Sequence, residues 1–124
     1  MSNEKFAVVF QRLRDILLPY AKQLVTVTDD DHVLYVDTAH TMANGQPLFF
    51  GKVSVSRRYV GFHLMPVYVD PSLLDDVSSD LKKRMQGKSC FNFTKVDETL
   101  FIELAQLTER GYAMYAERNF VPSR

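Results

Sequence analysis

The residues of this chain that could do nucleophilic or acid–base chemistry are few. Cys90 is its single cysteine, and His63 is one of three histidines. A cysteine becomes a nucleophile when a base takes its proton, so Cys90 and His63 would form such a pair if their strands were adjacent. No third group that would orient the base is evident, and a single cysteine in a strand is more often a small buried apolar residue. We therefore expect that the protein is not an enzyme.

A run of acidic residues is the second candidate for chemistry. Three consecutive aspartates precede a histidine, and hard cations bind carboxylate oxygens. Aspartates also favour turns, and neither a glycine nor a further acid completes a recognisable calcium loop. We interpret the run as a turn. The alternative interpretation is a metal site made of Asp29, Asp30, Asp31 and His32.

The elements that would position these residues are organised around the stretch 48–70. Two β-rich runs flank Arg57 and Arg58, and their apolar residues alternate with period two, which predicts an antiparallel hairpin with one apolar face. The face predicted to be apolar carries Phe49, Gly51, Val53, Val55, Val60, Phe62 and Leu64. The opposite face carries Leu48, Phe50, Lys52, Ser54, Tyr59 and His63.

That second face is the predicted ligand site. Ligand pockets are commonly apolar with a few placed polar groups, and aromatic and basic side chains are expected together on this side of the sheet. A dimer surface and an ordinary half-exposed sheet face are alternatives that the sequence leaves open. The predicted site consists of Tyr35, Lys52, Tyr59, His63 and Tyr68.

Helices are predicted at both ends of the chain. Apolar residues at three- and four-residue spacing form one stripe in 4–20 and another in 98–118. Ser2 or Asn3 would cap the first helix and Asp97 the last, while the tail from Asn119 is expected to fray. Further strands are predicted at 23–28, 32–38, 67–69 and 89–93, and a loop is predicted at 39–47. A short helical turn is expected after Asp70. A short helix is expected to begin at Ser78 and to end before Gly87, which would adopt a left-handed conformation.

Composition limits the classes of partner. The chain has 124 residues, with 15 basic and 15 acidic side chains, so a general affinity for nucleic acid or for an anionic membrane is not expected. No apolar run approaches the roughly 20 residues of a membrane span, and the N-terminus lacks the apolar core of a signal peptide. A single cysteine excludes an internal disulfide framework. These features predict a cytoplasmic protein.

Three segments carry a family resemblance. They are YVGFHLMPVYVDPSLL, SSDLKKRMQGKSCFNF and LFIELAQLTERGYAMY, and with them the whole chain resembles small uncharacterised bacterial proteins of the YdhG-like families. The resemblance implies an antiparallel sheet with terminal helices covering one face. Some YdhG-like proteins are regarded as frataxin-like iron chaperones, which implies an iron site built from exposed acids on the first helix and a neighbouring strand. The first helix here offers Glu4 and Asp15.

Together these observations predict a single domain over residues 1–124. Its fold is an α+β, two-layer α/β sandwich with about five or six antiparallel strands, covered on one face by the N- and C-terminal helices. The predicted function is a non-catalytic binding module that holds a small ligand on the open sheet face without a cofactor. The alternatives are a frataxin-like iron-binding chaperone and an interaction protein that forms a homodimer.

Overall fold

The computed structural model describes the backbone of residues 4–123 and the side chains of residues 6–123. The predicted caps Ser2 and Asn3 lie outside the described residues. The elements in chain order are α1 (Glu4–Ala21), β1 (Val25–Asp29), β2 (Val33–Thr41), β3 (Pro47–Val55), β4 (Val60–Leu64), α2 (Met65–Val69), a 3₁₀ turn (Pro71–Leu74), α3 (Ser79–Lys82), β5 (Cys90–Phe93) and α4 (Glu98–Glu117).

The sheet is an antiparallel meander. Its five strands lie side by side in the order β1-β2-β3-β4-β5, and each pairs with its neighbours in the sequence. Helix α1 packs on β3 and β4, and α4 lies beside α1. Ring contacts join α4 to the sheet, with Tyr115 against Phe50 and Phe101 against Phe93. The predicted α+β sandwich is confirmed.

The core fills the space between the helices and one face of the sheet. A row of four residues in register, one from each of β2 to β5, is fully buried on this face. The helices contribute the predicted apolar stripes, which bury apolar surface and so drive the two layers together. The row consists of Leu34, Val53, Phe62 and Phe91, and the fully buried leucines of the helices include Leu13, Leu17, Leu104 and Leu107.

A bulge in β3 corrects the predicted faces of that strand. Val36 pairs with Gly51 and Asp37 pairs with Phe49, so Phe50 has no partner on β2. An extra residue shifts the alternation by one, and every residue on the N-terminal side of the bulge exchanges faces. Leu48 and Phe50 are therefore buried in the core, and Phe49 lies on the open face. The prediction for these three residues was wrong.

The bulge is held by the helical layer. The hydroxyl of Tyr115, from α4, donates a hydrogen bond of 2.9 Å to the Phe49 carbonyl. Burial raises the pKa of Tyr115, so the hydroxyl keeps its proton for this bond. On the inner side, a Cβ added to Gly51 would lie 2.9 Å from a methyl group of Leu17 in α1. The absence of a side chain at this position lets α1 approach the sheet closely.

Three other predicted segments differ from the structure. Residues 67–69 belong to α2 and not to a strand, because Pro66 occupies the first helical turn, where its fixed φ suits the helix and its missing N–H is not needed. Strand β2 continues through Thr41, which shortens the predicted loop. The tail 119–123 does not fray: Phe120 contacts the rings of Tyr115 and His40, and Val121 is buried.

The predicted N-caps of the last two helices are confirmed, whereas the predicted end of α3 just before Gly87 was wrong. The Ser78 hydroxyl accepts a hydrogen bond from the Leu81 N–H, and the Asp97 carboxylate accepts one from the Leu100 N–H, each at 3.1 Å. Gly87 adopts the predicted positive φ of 81°, although α3 has already ended at Lys82 and the glycine serves the turn into β5. Close packing also occurs at the glycine in α4, since a Cβ on Gly111 would lie 2.8 Å from the ring of Pro66.

Candidate functional site

The open face of the sheet carries a row of chemically distinctive side chains. Tyr35 of β2 pairs in register with Lys52 of β3, Lys52 pairs with His63 of β4, and His63 pairs with Cys90 of β5. All four side chains are partly buried, although the helices cover the other face of the sheet. Residues directly opposite each other in antiparallel strands have Cβ atoms about 5 Å apart, so the four side chains are neighbours. We call this set the open-face row.

Phe49 joins the row because of the bulge in β3. Its ring centroid lies 4.9 Å from that of Tyr35 and 4.9 Å from that of His63, and the contact with His63 is edge-to-face. The rings of Tyr35, Phe49 and His63 thus form a continuous strip across three strands. Aromatic rings in such a strip can offer their faces and edges to a ligand.

Lys52 supplies the positive charge of this surface. Its side chain is partly buried, and among the described residues it forms no salt bridge and no hydrogen bond. Its charge nevertheless acts on two neighbours. It adds to the effect of burial that lowers the pKa of His63, and it opposes the larger effect of burial that raises the pKa of Cys90. A partly desolvated ammonium group without a carboxylate partner is a good place for an anion to bind.

The environment makes His63 and Cys90 poor partners for nucleophilic catalysis. Burial, and then the charge of Lys52, hold the pKa of His63 below its ordinary value, so the imidazole is neutral at neutral pH. Burial raises the pKa of the Cys90 thiol against the smaller opposing effect of Lys52. A protonated thiol is a weak nucleophile, since the thiolate is the reactive form. The two strands are adjacent, as the nucleophile–base interpretation required, yet no activated thiolate results.

Asp37 lies at one side of the open-face row. It pairs in register with Phe49, and burial raises the pKa of its carboxyl group. Its charge also raises the pKa of Tyr35, after the larger effect of burial. The open face therefore has a cation near its centre and a carboxyl group near β1. Sequence reasoning did not single out Asp37, although its place two residues after Tyr35 in a strand was a sufficient signal.

Among the described residues, no hydrogen bond or ring contact joins the other two predicted ligand residues to Lys52. Tyr59 precedes β4 and lies over Gly61, where its ring is 3.8 Å from the position of an added Cβ. Tyr68 is exposed on α2, and the nearest cation to its ring is Lys88, whose Nζ lies 6.0 Å from the centroid. The structure thus brings together three of the five predicted residues, Tyr35, Lys52 and His63, and adds Phe49, Asp37 and Cys90.

The residues of the open-face row line none of the four cavities described for the structure. Cavities of about 930 and 580 Å³ lie beside α1 and are lined by other residues. A ligand on the row would therefore lie against the strip of rings, and a flat molecule fits such a surface best. This shape distinguishes the site from the enclosed pockets that surround most small ligands.

Two of the three carboxylates of the acidic turn, those of Asp29 and Asp30, take part in structural interactions. Asp29 forms an ion pair with Arg14 of α1, with a shortest distance of 2.9 Å. Asp30 accepts the backbone N–H groups of His32 and Val33 at 2.8 and 2.9 Å, and these bonds lower its pKa. Within residues 6–123, no group of three or more His, Cys, Asp or Glu side chains is placed to hold a metal ion. The turn interpretation accounts for these interactions.

Comparison of the chain with protein-family models, with curated proteins and with solved structures found no match. Over the part of the chain that the structure describes, no helix has both the length and the apolar character that a membrane crossing needs.

Proposed function

We propose that this protein is a non-catalytic binding module whose open sheet face holds a small, flat, anionic ligand. The observation that carries the proposal is the partly buried Lys52, which has no carboxylate partner among the described residues and lies beside a strip of three rings. In this proposal, a carboxylate or phosphate of the ligand pairs with Lys52. The flat part of the ligand rests on Tyr35 and Phe49.

Two physical effects support an anionic ligand at this position. A charge pair in a partly desolvated site is screened less by water than a pair on the open surface, so it contributes more to binding. Neutral His63 offers one nitrogen as a donor and the other as an acceptor, which suits a polar substituent of the ligand. Asp37 disfavours negative charge at the β2 side of the surface, so the ligand is expected to carry its charge at one end only.

The proposal is tested by a thermal-shift screen with flat anions. The panel contains 4-hydroxybenzoate, indole-3-acetate, pyridoxal phosphate and a nucleoside monophosphate, each beside an uncharged analogue such as the amide. A ligand that binds only the folded state raises the melting temperature by mass action. We expect a charged member to bind and its uncharged analogue to bind at least about tenfold more weakly.

The matched variants are Lys52→Met and Lys82→Met. Methionine keeps most of the apolar length of lysine, and Lys82 is an exposed lysine on α3 that is not part of the row. We expect Lys52→Met to weaken binding at least about tenfold and Lys82→Met to leave it unchanged. Equal effects of the two substitutions, or the absence of a shift from every anion, would overturn the proposal.

The remaining sequence-based hypotheses stay predictions. They are the YdhG-like relationship, the cytoplasmic location, the frataxin-like iron-binding chaperone and the homodimeric interaction protein. A thermal shift with ferrous or ferric iron that Asp30→Ala abolishes would support the chaperone in place of the binding module.

A further inference from the structure

A groove between α1 and α4 lies on the helical layer, away from the open sheet face. Its volume is about 930 Å³, and residues along most of the length of α4 line it. The two helices run in the same general direction, since Arg12 contacts Glu98 near one end and Tyr20 contacts Tyr112 farther along. We call this feature the helix groove.

The floor of the groove includes apolar residues of α4 that lie outside the buried core. The core-facing side of α4 buries residues such as Leu104 and Leu107, yet the groove side carries Ile102, Ala105 and Ala113. Ile102 is 61% exposed. A surface helix normally has polar residues opposite its core face, so exposed apolar residues beside a groove are candidates for contact with another molecule.

The small residues of the floor suit a helix as the occupant. Ala105 and Ala113 leave room for a backbone to approach, and packed helices lie about 8–10 Å apart. Helix α4 has 20 residues and is about 30 Å long, so the groove can contact several turns of a second helix. Amphipathic helices commonly bind in this way, with apolar anchors at three- and four-residue spacing.

The rim of the groove is acidic. Four carboxylate side chains and one guanidinium group line the groove. That guanidinium, of Arg12, donates hydrogen bonds of 2.7 and 2.5 Å to Glu98, which leaves the other three acids without a salt bridge to a described residue. These three are Asp15, Glu109 and Glu117.

We propose that the helix groove binds a basic amphipathic helix of a partner protein. Lysine or arginine side chains of the partner complement the acidic rim, and its apolar face covers Ile102 and the alanines. The charge argues against two other occupants. A second copy of the chain would bring two acidic rims together, and an anionic membrane surface would be repelled.

The test uses synthetic helical peptides of about 18 residues, which span about 27 Å. One peptide has leucines at three- and four-residue spacing with lysine and arginine on both flanks of this stripe. Its matched partner has the same leucines with glutamate in place of every base. Fluorescence anisotropy should show binding of the basic peptide at micromolar concentration and at least about tenfold weaker binding of the acidic one. Added salt should weaken binding because it screens exposed charges.

Two variants locate the binding surface. Ala113→Arg places a long cation on the floor of the groove, whereas Ala7→Arg makes the same change at an exposed position of α1 outside it. We expect Ala113→Arg to weaken binding of the basic peptide at least about tenfold and Ala7→Arg to leave it unchanged. Lys52→Met should also leave it unchanged, which separates this proposal from the ligand site on the sheet.

Several results would overturn the proposal. The first is that the basic and acidic peptides bind with equal affinity, or that neither peptide binds. The second is a dimer in analytical ultracentrifugation that Ala113→Arg dissociates, which would identify a second copy as the occupant. The third is binding to phosphatidylglycerol vesicles that Ile102→Glu abolishes, which would identify a lipid surface.

Discussion

At the scale of single residues, the open-face row shows how burial changes the acid–base chemistry of side chains. Lys52 keeps a positive charge on a partly buried surface, and that charge acts with burial to keep His63 neutral. The same burial keeps the Cys90 thiol protonated. Both shifts agree with the proposal that these side chains form a binding surface.

The shifted pKa of His63 predicts how stability depends on pH. Its pKa is lower in the folded state than the ordinary value of about 6.5, so below neutral pH the unfolded chain binds a proton that the folded chain does not. The unfolded state then gains stability as pH falls, and the free energy of unfolding decreases. We expect His63→Gln to reduce this loss of stability between about pH 7.5 and about pH 5.5, measured by urea unfolding.

The control for this prediction is His32→Gln. His32 is exposed in the turn between β1 and β2, so this variant removes a histidine that is not on the open sheet face. A His63→Gln variant that loses as much stability on acidification as the wild type would contradict the assignment.

At the scale of elements, α4 has the largest number of roles. It covers the sheet, its Tyr115 holds the bulge of β3, and its outer side forms one wall of the helix groove. Gly111 lets α4 approach Pro66 of α2 closely, which fixes the short helix that follows β4. Displacement of α4 would therefore disturb both proposed binding surfaces.

The start of α4 provides a test of this role. The Asp97 carboxylate satisfies the Leu100 N–H, one of the donors that a helix leaves free at its N-terminus. We expect Asp97→Ala to lower the free energy of unfolding by about 1 kcal/mol, measured by urea unfolding at neutral pH. Asp97→Asn, which keeps an accepting oxygen, should retain most of the stability. Equal losses in the two variants would show that the cap is not responsible.

At the scale of the whole molecule, one core joins the two layers. Phe62 is fully buried in β4, and Phe91 lies opposite it on β5 within the same buried row. Because both helices and the central strands contribute to this core, the domain is expected to unfold in a single cooperative transition.

Truncation at the centre of the core tests this expectation. We expect Phe62→Ala to cost about 3–5 kcal/mol, a large part of the stability of an ordinary domain, and Phe62→Leu to cost less. The chain has no tryptophan, so tyrosine fluorescence and far-ultraviolet circular dichroism are the suitable probes. Two transitions that do not coincide in the wild-type protein would show that sheet and helices unfold separately.

Much of the architecture follows from the sequence alone, because its causes are local. Apolar spacing predicted α1 and α4, alternation predicted the central strands, and Ser78 and Asp97 marked helix starts that the structure confirms. These signals depend on residues within a few positions of each other, so they can be read without knowledge of the fold.

Other features exist only in the tertiary structure, because they depend on which strands pair and in what register. The predicted faces in 48–56 were correct on the C-terminal side of the bulge at Phe50 and wrong on its N-terminal side. The single extra residue moved Phe49 to the open face. Gly51 inside a strand was a sign of such a bulge, but its position became definite only through pairing with β2. The neighbourhood of Tyr35, Lys52, His63 and Cys90 has the same origin. Residues from four strands become one surface only when the sheet forms, and the groove between α1 and α4 likewise requires both helices to pack on that sheet.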